Sequence, residues 1–208
     1  MNTYNRLVAF GDSFTYGEHL PDNLENSFDS PSEYSWPNII AKSLDVPCVN
    51  LALPGGSNKY IANSILDFEF KKGDIILILW SWHNRFHVFD DRLPVGSKIG
   101  TWNIRNKKYS DAYYKHIYNE LDSIKQSIIY INHTNDYLKT KKIKHFHALL
   151  DSDIKDYLKT CSFNRTEFME YNIDFIDFAN DGRHPGIKSQ HQMAKTIWLN
   201  IKGQLKND

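Results

Sequence analysis

Three residues of this 208-residue chain have the types and spacing for nucleophilic chemistry: Ser13 near the start, and Asp181 with His184 near the end. Ser13 sits in LVAFGDSFTYG, residues 7–17, where Leu7–Phe10 read as a short buried strand and Gly11 opens a polar turn. A serine just past the carboxyl end of a first, buried strand stands where open parallel sheets place their ligand sites. Its hydroxyl is a poor nucleophile until a base takes the proton, and an imidazole base needs a carboxylate to fix its tautomer and steady its charge. Asp181-Gly182-Arg183-His184-Pro185-Gly186 supplies such a pair. Three residues apart in a tight Gly- and Pro-rich turn, the carboxylate can hold one ring nitrogen while the other points away toward a hydroxyl. Chain order is immaterial, because such triads are defined by geometry and role.

The blocks that carry these residues resemble those of the SGNH/GDSL hydrolases. GDSF at residues 11–14 matches that family's first block and Asp181–His184 its last, D-x-x-H, and each falls at the expected end of the chain. NLALPGGSN, residues 50–58, is similar to the second block, whose glycine donates a backbone N–H to the oxyanion. Spacing from Asn50 points to Gly55, with Gly56 as the neighbouring alternative. The third block, usually G-x-N-D, corresponds to Ser81-Trp82-His83-Asn84-Arg85, where Asn84 matches but the glycine and aspartate are replaced. Ser81 and Arg85 are the alternatives for part of its role.

The resemblance implies that Ser13 attacks an ester carbonyl, His184 takes its proton and Asp181 orients the imidazole. The oxyanion is then held by the N–H groups of Ser13 and Gly55 and by the Asn84 side chain, and water releases the acyl-enzyme. Asp12, Trp82 and Arg85 are the candidate substrate-binding neighbours. No cofactor and no metal is implied. The expected substrate is a small-molecule or glycan ester, with a short acyl group such as acetyl on a carbohydrate favoured by a polar loop and an aromatic-rich one. The altered third block sustains a second reading, a low-turnover glycan-binding or structural module that keeps the fold.

The elements that must position these residues follow from the pattern. Glu18 to Ser35 is polar, with two prolines, and reads as a surface loop directly after the nucleophile. Ser35-Trp36-Pro37 opens a helix through Leu44, Val46–Leu53 is a second strand, and Gly55–Asn58 turns into a helix spaced by Ile61, Ile65 and Leu66. A Gly-rich turn at a helix start can cradle phosphate, but neither G-x-G-x-x-G nor a lysine-bearing P-loop is present. DIILILWS, residues 74–81, is the all-apolar run of a central strand covered on both faces. Trp80 to Trp102 reads as an aromatic-rich loop beside the site, and residues 109–142 as one long helix or two. His145 and His147 alternate onto one face of a short strand, without the carboxylate or cysteine a zinc site would add. Ile173–Phe178 is the expected last strand and Met193, Ala194, Ile197, Trp198 and Ile201 mark a terminal amphipathic helix. The fold class is α/β: a three-layer α/β/α sandwich of about five parallel strands, flavodoxin-like, with residues 1–208 as a single domain.

Composition narrows the partners. Lys plus Arg and Asp plus Glu are 25 each, so no net field draws the chain to nucleic acid or to an anionic membrane. Cys48 and Cys161 are far apart, and Cys48 lies in an apolar strand, which favours free thiols in a reducing compartment over a single disulfide. MNTYNRLVAF has no secretory apolar core, and no run approaches the roughly 20 apolar residues that span a bilayer. The expectation is a soluble, cytoplasmic protein as encoded; release by lysis or carriage on a virion needs no signal. Oligomeric state is not encoded in any of these features.

Overall fold

In the computed structural model, residues 4–23, 30–90, 93–100, 107–162, 164–169, 171 and 175–205 are described. The elements in chain order are β1 (Arg6–Phe10), α1 (Ser13–Tyr16), α2 (Trp36–Leu44), β2 (Cys48–Asn50), α3 (Asn58–Leu66), β3 (Asp74–Trp80), β4 (Phe86–Asp90), β5 (Leu93–Ile99), α4 (Lys107–His116), α5 (Glu120–Thr140), β6 (Lys144–Leu149), α6 (Ser152–Thr160) and α7 (Ile187–Leu205).

The central sheet runs β2-β1-β3-β6 and every pairing in it is parallel. Parallel sheets need both faces covered, and the alternation of side chains along β1 and β3 shows how this is met. Leu7, Ala9, Ile75, Leu77 and Leu79 face Trp36, Ile40, Met193, Ala194, Ile197 and Ile201 of α2 and α7. Val8, Phe10, Ile76, Ile78 and Trp80 face Ile61, Ile65, Ile124, Ile128, Ile131 and Ile154 of α3, α5 and α6. These two cores define the three-layer α/β/α architecture, with the apolar run of β3 buried along its whole length.

A parallel bridge between His147 and Phe168 extends the sheet beyond β6, whereas the described part of the segment expected as the last strand, residues 175–178, forms no strand. Ile173 and Asp174 lie outside the described residues; from Phe175 to Phe178 the chain bends, and its β-pairing is a single antiparallel bridge from Phe178 to Pro185. Asp177, the second aspartate of IDFIDF, explains this. Asp177 accepts from the N–H groups of Lys188 (3.0 Å) and Ser189 (2.8 Å), anchoring the orphan donors at the start of α7. Phe175, Ile176 and Phe178 are left exposed.

The aromatic-rich segment after β3 also differs from its expected form. It is an antiparallel hairpin, β4 with β5, with Phe86 opposite Ile99 and His87 opposite Lys98. Phe86 stacks on Tyr113 and His87 lies buried against Tyr60, while Val88 and Phe89 are exposed. Trp80 belongs to the core and Trp102 lies outside the described residues. Cys48 and Cys161 are free thiols, and burial pushes the Cys48 thiol up to about 12. Among the described residues, no helix is long and apolar enough to cross a membrane.

Candidate active site

Ser13 is the first residue of α1, buried at the carboxyl end of β1. The residue before it sets the turn. Asp12 caps α1 by accepting from the N–H of Phe14 at 3.0 Å, and Gly17 ends the helix in the left-handed conformation at φ 79°. The helix is held from outside as well: Asn50 donates to the carbonyl of Thr15 (2.7 Å), and Gln190 of α7 donates to that of Phe14 (3.1 Å). Gln190 also accepts from the N–H of Trp36 (2.8 Å), satisfying one of the free donors at the start of α2. Ser35 flanks that helix but donates its hydroxyl to the carbonyl of Ser32.

Asp12, the neighbour of Ser13, is buried rather than open to a cleft. Its side chain is fully buried, and the second carboxylate oxygen accepts from Ser81 Oγ (3.1 Å) and Arg85 Nη1 (2.6 Å). Arg85 in turn covers the ring of Trp82 at 4.4 Å, and Trp82 meets Phe14 edge-on at 5.3 Å. The replaced positions of the third block therefore form a clamp that fixes the Ser13 turn to the end of β3. Ser81 is pinned by Asn58, which donates to its carbonyl (3.0 Å) and accepts from its N–H (2.8 Å).

Asn84 lies in the turn that follows, where the N–H of Arg85 bonds to the carbonyl of Trp82. Its own carbonyl accepts from Tyr114, and among the described residues its side-chain amide makes no hydrogen bond. Because β3 pairs with β1, with Ile78 opposite Phe10, Asn84 and Ser13 emerge from adjacent strands at the same edge.

Gly55 and Gly56 follow β2 on the other side of β1, and the backbone separates their roles. Gly56 N–H is committed to the carbonyl of Leu53 at 2.8 Å, and a Cβ there would meet Leu53 O at 2.9 Å and Gly11 O at 3.3 Å. Gly56 thus allows the turn to close on the start of the nucleophile segment. Gly55 adopts φ 71° and its N–H has no partner among the described residues. The hairpin reaches the same turn, with Lys98 Nζ donating to the carbonyl of Pro54 at 2.8 Å.

The carboxylate and imidazole at the other end of the chain are paired as their spacing suggested. Asp181 Oδ2 is 2.6 Å from His184 Nδ1, while Oδ1 accepts from the N–H groups of Arg183 (3.1 Å) and His184 (3.0 Å). Burial works to raise the Asp181 carboxyl, but these bonds outweigh it and pull it down to about 2. The carboxylate is therefore charged and holds Nδ1 as the donor, which leaves Nε2 to act. The His184 ring meets Phe14, the neighbour of Ser13, edge-on at 5.8 Å. Its Nε2 stands 3.3 Å from Glu18 Oε2, and among the described residues no hydrogen bond joins it to Ser13.

Two features were not foreseen from the sequence. The first is Glu18-His19, at the mouth of the loop after α1, which folds back onto the Asp181–His184 turn; the N–H of Asn180 bonds to the carbonyl of His19 at 3.2 Å. The second is a buried pair, His83 with Asp151, joined at 2.7 Å through Nδ1, with His83 Nε2 3.2 Å from Tyr118. Asp151 also caps α6, so it ties the third block to the far edge of the sheet. His145 and His147 meet edge-on at 5.2 Å, with His145 bonded to Ile143 O and to Asn135 and His147 accepting from Trp80 Nε1 at 2.9 Å.

No protein-family model and no curated protein matches the sequence. Solved structures do. A protein described as lipolytic and of the G-D-S-L family, from Desulfitobacterium hafniense, superposes with a TM-score of 0.57 at 14% identity, covering 93% of this chain and 97% of that one. An acetyl xylan esterase from the rumen bacterium Butyrivibrio proteoclasticus gives 0.60 at 15% identity, over 98% of this chain and 65% of the larger enzyme. The esterase EstA from a Pseudoalteromonas species, solved inhibited by monoethylphosphonate, gives 0.52 at 12% identity, over 98% of this chain and 100% of that one. Layer order, parallel sheet and these likenesses agree: the chain has the SGNH/GDSL hydrolase fold.

Proposed function

We propose that this protein is a serine ester hydrolase in which Ser13 is the nucleophile, His184 the base and Asp181 the residue that orients it. The observation that carries the reading is the Asp181–His184 pair, held by three hydrogen bonds and set against Phe14, immediately after a serine locked at the end of β1. Nε2 leaves Glu18 for the Ser13 hydroxyl when substrate enters, takes the proton as Oγ bonds to the carbonyl carbon, and returns it to the departing alkoxide. The N–H groups of Ser13 and Gly55 and the Asn84 amide receive the oxyanion from three sides of the sheet edge. Asp12 and Arg85 act one step back, by fixing the turn that carries Ser13, and Trp82 lines the approach through Phe14.

For the substrate we favour a short acyl ester on a carbohydrate. Phe175 and Phe178 stack at 5.6 Å, both exposed, and Phe175 meets Phe14 edge-on at 5.8 Å, which builds an open aromatic shelf beside His184. Such a shelf suits the apolar face of a sugar ring, with the acyl group reaching inward. The test is a panel of p-nitrophenyl esters from acetyl to long chain together with acetylated oligosaccharides. Acetyl esters should be cleaved fastest, with the sugar acetates showing the lower KM, and Ser13→Ala should abolish all turnover. Faster cleavage of long chains, with no acetylated glycan accepted, would overturn the substrate class.

A second reading, a glycan-binding module of low turnover, draws on one specific observation: in the resting site Nε2 of His184 faces Glu18 rather than Ser13. Tight glycan binding with no serine reactivity would favour it.

A further inference from the structure

We propose that Glu18, His19 and His184 form a binding site for a divalent transition-metal ion of the zinc class, and that the ion silences the enzyme by taking the nitrogen that serves as base. The silencing, unlike the binding, rests on the hydrolase reading above. His184 Nε2 lies 3.3 Å from Glu18 Oε2, His19 Nε2 lies 3.9 Å from Glu18 Oε1, and the ligand atoms of the three residues all fall within 4.8 Å of one another. In a tetrahedral zinc site with ligands at about 2.1 Å, neighbouring ligand atoms stand about 3.4 Å apart. Glu18 and His184 already have that separation, and His19, 3.9 Å from Glu18 and within 4.8 Å of the other ligand atoms, reaches it by a small side-chain rotation.

The surroundings favour the same occupant. Asp181 holds Nδ1 of His184 at 2.6 Å, the carboxylate–histidine arrangement that fixes a metal-ligating tautomer and makes Nε2 the free lone pair. Base catalysis needs that same lone pair, so the ion and the Ser13 proton compete for it. Two carboxylates, Glu18 and Asp181, border the imidazoles and supply negative charge for a cation. All three side chains are only partly buried, so an ion can enter. His19 is held in the left-handed conformation at φ 64°, a backbone state uncommon outside glycine, which points it back at His184 with ring centroids 5.3 Å apart. Two imidazoles and one carboxylate select zinc, copper or nickel over magnesium or calcium. The other cluster of this kind, His83 with Glu120 and Asp153, offers less, because both ring nitrogens of His83 are already engaged.

The test is metal binding to the full chain by equilibrium dialysis with zinc, alongside the visible absorption of the cobalt-substituted protein, both independent of activity. One zinc per chain is expected, with cobalt giving a four- or five-coordinate spectrum and magnesium no binding. His19→Asn, which tolerates the left-handed backbone, and Glu18→Gln should each weaken zinc by at least tenfold, while circular dichroism confirms that they fold. His19→Asn should keep its basal ester hydrolysis and lose inhibition by zinc, and in the wild type a chelator should reverse that inhibition. Absence of stoichiometric zinc binding, or equal affinity in His19→Asn and wild type, would overturn the site. Variant-sensitive binding in a protein that hydrolyses no ester would uphold the site and overturn the silencing together with the hydrolase reading.

Discussion

Arg85→Met tests whether the altered third block is a clamp on the nucleophile. In the wild type the Asp12 side chain is fully buried and Arg85 is 12% exposed, with 2.6 Å between them. Removing the guanidinium leaves a buried carboxylate with two neutral donors, Ser81 Oγ and the N–H of Phe14. Breaking a buried pair from one side costs about 3–5 kcal/mol, and the two remaining donors place this case near 3. Loss of the guanidinium stacked on Trp82 at 4.4 Å adds about 1 kcal/mol. The total of about 4 kcal/mol corresponds to a fall in Tm of roughly 8–16 °C for a domain of this size. Calorimetry or urea unfolding reads it directly. The double variant Asp12→Asn/Arg85→Met, which removes the stranded charge, should recover at least half of the loss, because removing both partners of a buried pair is far cheaper than removing one. A Tm for Arg85→Met within 2–3 °C of wild type, or strictly additive losses in the double variant, would refute the clamp.

Three further outcomes are expected. His83→Gln should flatten the dependence of stability on pH: hydrogen bonding to Asp151 raises His83, so its contribution is full below about pH 6.5 and is lost as pH rises through the higher folded value. Wild type should therefore lose stability as pH rises from about 6.5 through that raised folded value, while the variant, which lacks the imidazole, shows no such fall; parallel curves in urea unfolding would exclude the effect. Asn84→Ala should leave KM nearly unchanged and lower kcat by roughly 10²–10³ in steady-state kinetics; a kcat within a few-fold would transfer the donor role to another group. Gly56→Ala places a Cβ 2.9 Å from Leu53 O and 3.3 Å from Gly11 O, both backbone, so the turn must shift and kcat should fall more than in Ala52→Gly, a neighbouring substitution that adds no atoms.

Much of the site was legible because its chemistry lies in short local blocks. GDSF positions Ser13 through Asp12, one residue away, and D-x-x-H closes within a single turn, so types and spacing were enough. Spacing favoured Gly55 over Gly56 as the donor, but that the Gly56 N–H is committed to Leu53 could not be read from it. The His83–Asp151 pair spans 68 residues and Glu18 meets His184 across the whole chain; no local pattern encodes contacts of that separation. The positive φ of His19 is equally silent in sequence. In the fold, the all-apolar β3 declared a central parallel strand, whereas IDFIDF mimicked a strand because the task of Asp177, binding the first N–H groups of α7, becomes visible only with the helix in place. The aromatic run Phe86–Phe89 hid a hairpin because its period-2 signal is only a few residues long.

The most direct test of the account is labelling of the folded protein with a serine-directed fluorophosphonate, read by intact mass and peptide mapping. One adduct per chain at Ser13 is expected, formed far more slowly in His184→Ala and Asp181→Asn and absent in Ser13→Ala. No adduct at Ser13, or labelling at the same rate in His184→Ala as in wild type, would contradict the assignment of Ser13 as a nucleophile activated by His184 and Asp181.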